Sequence, residues 1–177
     1  MILTVEELMS LPEFQGQDED TLIQKLLAVE EMVRSYTHNN FQNRNIRFEA
    51  SSWNNVLEGA SPFLKEGDTV QVTESGVNDG LYVVESVDLN TERVEVDKTL
   101  WKVRHNLVTK VEYPFDVKMG VVNLMKWEVT NRDKVGIKQE TLSRHSVTYY
   151  DQDSTNTVMG YPVSLMAFLK PYIKARF

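Results

Sequence analysis

The sequence predicts an α+β fold, in which two amphipathic helices flank a strand-rich stretch and a strand and a short helix close the chain. Three observations predict it. Apolar residues recur at three-to-four spacing over residues 18–37 and again from Pro114 to Val129. Between them, over 46–112, the apolar period drops to two. Turn-forming runs then separate the alternating segments from one another.

The elements follow in order. Thr4 can cap a short helix whose first turn holds Glu6 and Glu7, both suited to the positive end of the helix dipole, and Pro12 and Gly16 close it. Asp18-Glu19-Asp20-Thr21 opens the strongest helix, with Leu22, Ile23, Leu26, Leu27, Val33 and Tyr36 on its apolar side. Glu30 and Arg34 stand four apart on it, a pair worth ~0.3 kcal/mol if exposed. Thr37-His38-Asn39-Asn40 ends it.

Alternation then marks strands at Ile46–Ala50, Thr69–Thr73, Leu81–Val87 and Arg93–Asp97, with further ones at Leu100–Val103 and Val108–Glu112. Gly67-Asp68, Asn78-Asp79-Gly80 and Leu89–Glu92 are the turns; Asn78-Asp79-Gly80 is the clearest, since Asn and Gly tolerate positive φ. Residues 46–112 are thus expected to form an antiparallel β insertion, with 1–45 and 113–177 making the helical part. Pro114 suits the first turn of the second long helix, and Phe115, Val117, Val121, Val122, Leu124, Met125 and Val129 give it an apolar face. Gly120 weakens it by about 1 kcal/mol, which points to close packing against another element. Gln139–Tyr150 reads as one exposed strand; Gly160-Tyr161-Pro162 opens a short helix that should kink or end near Lys170, because Pro171 removes a donor and crowds the preceding turn. The last six residues, with Lys174, Arg176 and Phe177, read either as a semi-independent arm or as a segment packed on its own subunit. On the arm reading, deleting Tyr172–Phe177 leaves folding intact and abolishes assembly.

Composition bounds the function. The 177 residues are 41% apolar and 25% charged, the ordinary globular range, with room for one sizeable core or a core and an insertion. Cysteine is absent, which excludes disulfides and thiol nucleophiles. The first residues lack the basic and apolar regions of a secretory leader, and no run approaches the ~20 apolar residues that span a bilayer. A soluble protein made inside the cell is expected, with no membrane partner. A net charge of −7 argues against tight sequence-independent nucleic-acid binding, which needs a basic face to release counterions.

Catalytic constellations are not evident. His38, His105 and His145 lack metal-ligand spacing, and His145 between Ser143 and Ser146 sits on a strand whose neighbours face opposite sides. Asp151–Asn156 has Asn156 where a calcium loop needs Gly and Pro162 where it needs Glu. Trp53, Trp101 and Trp127 read as core or interface packing rather than a nucleobase platform, which would also carry a basic groove. No catalytic residue, cofactor or metal is therefore assigned.

What remains is recognition. A strand carrying Ser143, Ser146 and Thr148 beside Val147, Tyr149 and Tyr150, then a Tyr-Pro-led helix and a basic-aromatic tail, resembles the bacteriophage head–tail connector (adaptor) family. The resemblance covers about 18–37 and 114–177. It implies a small helical bundle with long antiparallel helices, here carrying the β insertion and a C-terminal strand, short helix and arm. It also implies a dodecameric homo-oligomeric ring under the portal protein, in the neck of the virion, assembled in the host cytoplasm. Such a ring extends the DNA channel, docks the stopper or tail-completion protein, and lets DNA pass without sequence-specific binding. Its acidic charge would repel phosphate and favour sliding. The residues expected at a subunit or portal interface are Arg144, His145, Val147, Tyr149, Tyr161, Phe168, Tyr172, Lys174, Arg176 and Phe177. A different neck or tail-completion component is the alternative, and a small enzyme a more distant one.

Overall fold

The computed structural model describes residues 1–132 and 156–175, together with the backbones of two strands, Gln139–Leu142 and His145–Thr148. Helix and antiparallel sheet are mixed, an α+β composition. The chain divides into two compact units: one holds Met1 and Asn40–Tyr113, the other Ile2–Asn39 and the chain from Pro114 onward.

The first unit is β. Its strands are β1 (Gln42–Glu58), β2 (Thr69–Thr73), β3 (Gly80–Asp88) and β4 (Arg93–Val111). β4 pairs with β1 from Arg93–Glu58 to Val111–Gln42. On its other side it pairs first with β3, from Arg93 to Val96, and then with β2, from Leu107 to Val111. Since β2 also pairs with β3, these three strands close on one another. The inward residues of that closure, among them Val70, Val72, Tyr82, Val84, Val94, Val96, Leu100 and Val108, form the unit's core with Ala50, Leu57 and Leu64. Three expected strands, 93–97, 100–103 and 108–112, are thus one. The polar runs Asp97-Lys98-Thr99 and Arg104-His105-Asn106 hide the alternation, yet β1 supplies ladder partners on both sides of them. β1 likewise runs on beyond Ala50, through bulges at Asn54, whose φ of 55° an asparagine side chain tolerates. It ends at Gly59, whose N–H donates to the Glu92 carbonyl at 2.7 Å.

The loop between β2 and β3 departs from expectation. Its positive-φ residues are Glu74 and Gly76, not Asn78. Asp79 closes the turn by accepting from the Ser75 and Gly76 amides. Asn78 instead turns inward and is buried with Ser52 and Asn106. Its amide nitrogen donates to Ser52 Oγ, the Trp101 carbonyl and Asn106 Oδ1, while its oxygen accepts the Trp101 N–H at 2.8 Å.

The second unit is mainly helical. In α1 (Val5–Met9), Thr4 and Glu7 cap each other's amides reciprocally. A 3₁₀ turn, Pro12–Phe14, follows and buries Phe14. α2 (Glu19–Thr37) is capped by Asp18 and stops at His38 in the left-handed region. It buries Leu22, Leu26, Val29, Val33 and Thr37, and also Glu30, which accepts the Ile2 N–H at 3.2 Å. Leu27, expected on the apolar face, is exposed. α3 (Phe115–Asn131) buries Val117, Gly120, Val121, Val122, Leu124 and Met125. Phe115 sits on its outside, 78% exposed, because the buried stripe begins two residues later, at Val117.

Beyond α3, Gln139–Leu142 (β5) and His145–Thr148 (β6) pair with each other antiparallel, Leu142 opposite His145. The expected single strand is therefore two, each giving the other's backbone groups partners. β7 (Thr157–Val158) and β8 (Tyr161–Pro162) form a small hairpin around Met159 and Gly160, with φ of 53° and 80°, both positive as a two-residue I′ turn requires. α4 (Val163–Met166) then passes into a 3₁₀ segment, Ala167–Tyr172. Pro171 lies inside that tighter segment, and the chain turns extended at Ile173, three residues past the expected break. No helix among the described residues is long and apolar enough to cross a membrane.

Candidate interface and the anchoring of the C-terminal segment

Two constructions fix the C-terminal part of the second unit. The first sits at the end of α3. Glu128 is half-buried and accepts from three residues: Tyr161 Oη at 2.9 Å, Arg132 Nε and Nη2 at 2.9 and 2.6 Å, and Lys25 Nζ at 3.3 Å. The same guanidinium lies 4.9 Å from the Trp127 ring and 4.8 Å from that of Tyr161, and its Nη1 donates to the Gly160 carbonyl at 3.1 Å. One arginine thus ties the helix end to the β7–β8 hairpin through charge, stacking and a main-chain bond. Burial alone would raise the Glu128 carboxyl, but the hydrogen bonds from Arg132 and Tyr161 and the Arg132 charge hold it below its ordinary value. Burial, and next the Glu128 charge, push the Tyr161 phenol up to about 12. Beside the cluster lies a cleft of about 290 Å³ lined by Lys25, Ala28, Val29, Met32 and Met159.

The second construction seats the last turn. Met166 and Leu169 are fully buried and carry the segment. Phe168 lies across Gly120 so closely that a methyl group there would meet three of its ring carbons at 2.4–2.5 Å. The Tyr172 hydroxyl donates to Asp116 at 2.7 Å, and that bond raises the phenol's pKa. Asn39 Nδ2 donates to the Tyr172 carbonyl, and the Lys174 N–H to the Thr37 carbonyl at 2.8 Å. The chain is therefore docked on its own unit as far as Lys174.

Of the residues expected at an interface, Tyr161 is buried in the arginine cluster and Phe168 is half-buried on Gly120. Tyr172 is half-buried, and the Lys174 side chain is exposed above its docked main chain. His145 and Val147 lie on β6, their side chains outside the described residues; Arg144, Tyr149, Arg176 and Phe177 lie outside them entirely, as does Asp151 to Thr155. The structure adds exposed apolar groups that sequence reasoning missed. Phe115 and Met119, one turn apart on α3, flank Asp116, and Ile173 follows Tyr172. Helical spacing had placed Phe115 on the apolar face of α3; nothing in the spacing distinguishes a covered position from an open one.

The first unit carries its own surface. Trp53 and Trp101 are 56% and 74% exposed, not core. Ser51, Ser52, Trp53, Glu58, Lys102, Val103 and Arg104 line a groove of about 520 Å³. Lys102 Nζ stands 5.1 Å over the Trp53 ring. Glu58 accepts from Ser51 Oγ at 2.6 Å and faces Arg93 at 3.8 Å. Trp127, by contrast, is packed under Arg132.

Among the described residues no group of three or more His, Asp or Glu is placed to hold a metal ion. No family model and no curated protein matches the sequence.

Proposed function

We propose that this protein is a structural head–tail connector (adaptor) of a tailed bacteriophage. In this reading it acts without catalysis, as one subunit of a homo-oligomeric ring below the portal protein. The ring extends the DNA channel of the virion neck and docks the stopper or tail-completion protein. The two long helices are the scaffold, the β unit is an insertion between them, and the C-terminal segment lies at the contact with neighbours.

The observation that carries the reading is a set of open apolar side chains on the two elements that the Tyr172–Asp116 bond joins: Phe115 and Met119 on α3, and Ile173 next to Tyr172, all well exposed. Large apolar groups gathered on an otherwise charged surface mark protein contacts, and aromatic anchors dominate their energetics. Phe115 and Met119 stand on a folded helix and Ile173 on a docked segment, so holding them in an interface loses little backbone entropy. The chain's sequence resemblance to connectors names the partner class.

The test is a pull-down of the tagged chain against portal and tail-tube proteins, with native mass spectrometry of the captured species. Capture of portal, and its loss in Phe115→Glu/Met119→Glu with helical signal retained, supports the reading. Capture of the tail-tube protein alone moves the assignment to a tail-completion component.

A further inference from the structure

The groove on the β unit has a composition unlike the rest of the chain. It combines an indole open to solvent with Lys102 and Arg104, while its acid, Glu58, is already engaged by Ser51 and Arg93. Its net character is thus cationic and aromatic, in a protein of net charge −7. Aromatic and arginine side chains in a concave site are the groups that interfaces concentrate. A nucleic-acid backbone is a poor occupant: two cations would release about two counterions per site, against a repulsive whole-chain charge. A short acidic turn matches two cations in number and in reach.

The chain holds one run of three consecutive acids, Asp18-Glu19-Asp20, at the start of α2, and all three are exposed. Asp18 is occupied in capping Thr21, which leaves Glu19 and Asp20 to project from the first turn. We infer that the Trp53–Lys102–Arg104 groove of one copy receives the Glu19–Asp20 turn of a second copy. The two patches differ, so every copy offers one of each, and the contact is head-to-tail; such contacts close into rings when the rotation allows. The inference rests on the connector reading for its ring, and on charge complementarity for its partners.

The experiment is a charge exchange in the full chain. Lys102→Glu/Arg104→Glu makes the groove acidic; Glu19→Lys/Asp20→Lys makes the turn basic and leaves the Asp18 cap in place. Alone, each variant sets like charge against like at every contact and should self-associate roughly tenfold more weakly than the parent or worse in sedimentation velocity. Mixed one to one, each groove meets an opposite turn, and association should return as an alternating assembly that weakens with added salt. Circular dichroism confirms that both variants fold. A parent chain that does not self-associate, variants that associate as the parent does, or a mixture that stays apart would each overturn the inference. Portal capture with no effect of either variant sinks this pairing and spares the connector reading. Restored association in the mixture, with portal ignored, does the reverse.

Discussion

Gly120 and Phe168 fit each other as surface and cover: the ring lies where a β-carbon on residue 120 would be. Gly120→Ala should gain about 1 kcal/mol of helix propensity and lose more by displacing the ring, for a net destabilisation of about 1 kcal/mol. In a Phe168→Ala background the ring is gone, and the same substitution should instead stabilise by about 1 kcal/mol. Urea unfolding of the four-member cycle reads this reversal of sign. Equal effects in both backgrounds would mean that the ring is not held against the helix.

The C-terminal segment makes a related prediction that departs from the free-arm expectation. A chain ending at Pro171 loses the Tyr172 hydroxyl bond to Asp116, the Asn39 bond to the Tyr172 carbonyl and the Lys174 bond to Thr37. At about 1 kcal/mol each, the second unit should lose about 3 kcal/mol. A chain ending at Ala175 keeps all three and should unfold at the parental denaturant midpoint. Matching midpoints for both truncations would restore the free arm.

The broad pattern of the fold was legible because it is local. The period change at the edges of 46–112 and the helix starts at Thr4 and Asp18 are all written within a few residues of where they act, whereas the ring that covers Gly120 comes from Phe168, far along the chain. Strand continuity was not, since whether Asp97–Thr99 breaks β4 depends on β1, some forty positions earlier in the chain. Nor was exposure: Phe115 and Val117 look alike in a periodic pattern, and only packing separates them. Glu128 and Arg132 stand four apart like Glu30 and Arg34, but nothing local sets that pair apart, and its convergence with Tyr161 and Lys25 is tertiary.

That convergence sets a pH profile. The Glu128 carboxyl is held low in the folded state, so its contribution is present above the usual glutamate range and disappears as acid protonates the folded form. Glu128→Gln should cost about 2 kcal/mol at neutral pH, and the difference from the parent should shrink as the pH falls below the usual glutamate value. Tyr161 acts at the other end. Its phenol titrates near 10 when unfolded and about 12 when folded, so the folded state holds a proton that the unfolded chain gives up. Stability should therefore fall as pH rises from about 10 to about 12. Tyr161→Phe should reduce that alkaline slope, the raised Tyr172 phenol keeping a part of it, and absorbance at the phenolate band should lose a late-titrating component.

Gly59 joins β1 to the following loop at φ 150°, and a β-carbon there would stand 2.5 Å from the Glu49 carbonyl oxygen. Unlike the ring over Gly120, that oxygen belongs to the sheet backbone and cannot swing away. Gly59→Ala should destabilise the β unit by about 3 kcal/mol, combining strain and overlap. Thermal unfolding followed by near-ultraviolet dichroism checks it, and a shift no larger than that of an exposed substitution would refute the close approach.

Asn78 makes the sharpest prediction for the β unit, because its amide uses donor and acceptor together. Asn78→Ala strands the Trp101 N–H and Asn106 Oδ1, leaves the Trp101 carbonyl to Ser52 Oγ alone, and should cost about 3 kcal/mol. Asn78→Asp preserves the shape and the bond from the Trp101 N–H, yet sets carboxylate oxygens against the Trp101 carbonyl and Asn106 Oδ1. Burial and these acceptors should raise the new carboxyl's folded pKa above its unfolded value. Its penalty is then absent below the usual aspartate range and grows as pH rises through it, since only the unfolded chain ionises freely. Denaturant midpoints for Asn78→Asp measured between pH 4 and 7 should fall steadily relative to those of the parent, while Asn78→Ala should run parallel to it. A flat Asp profile would show that water reaches the site and that Asn78 does not clamp the strands.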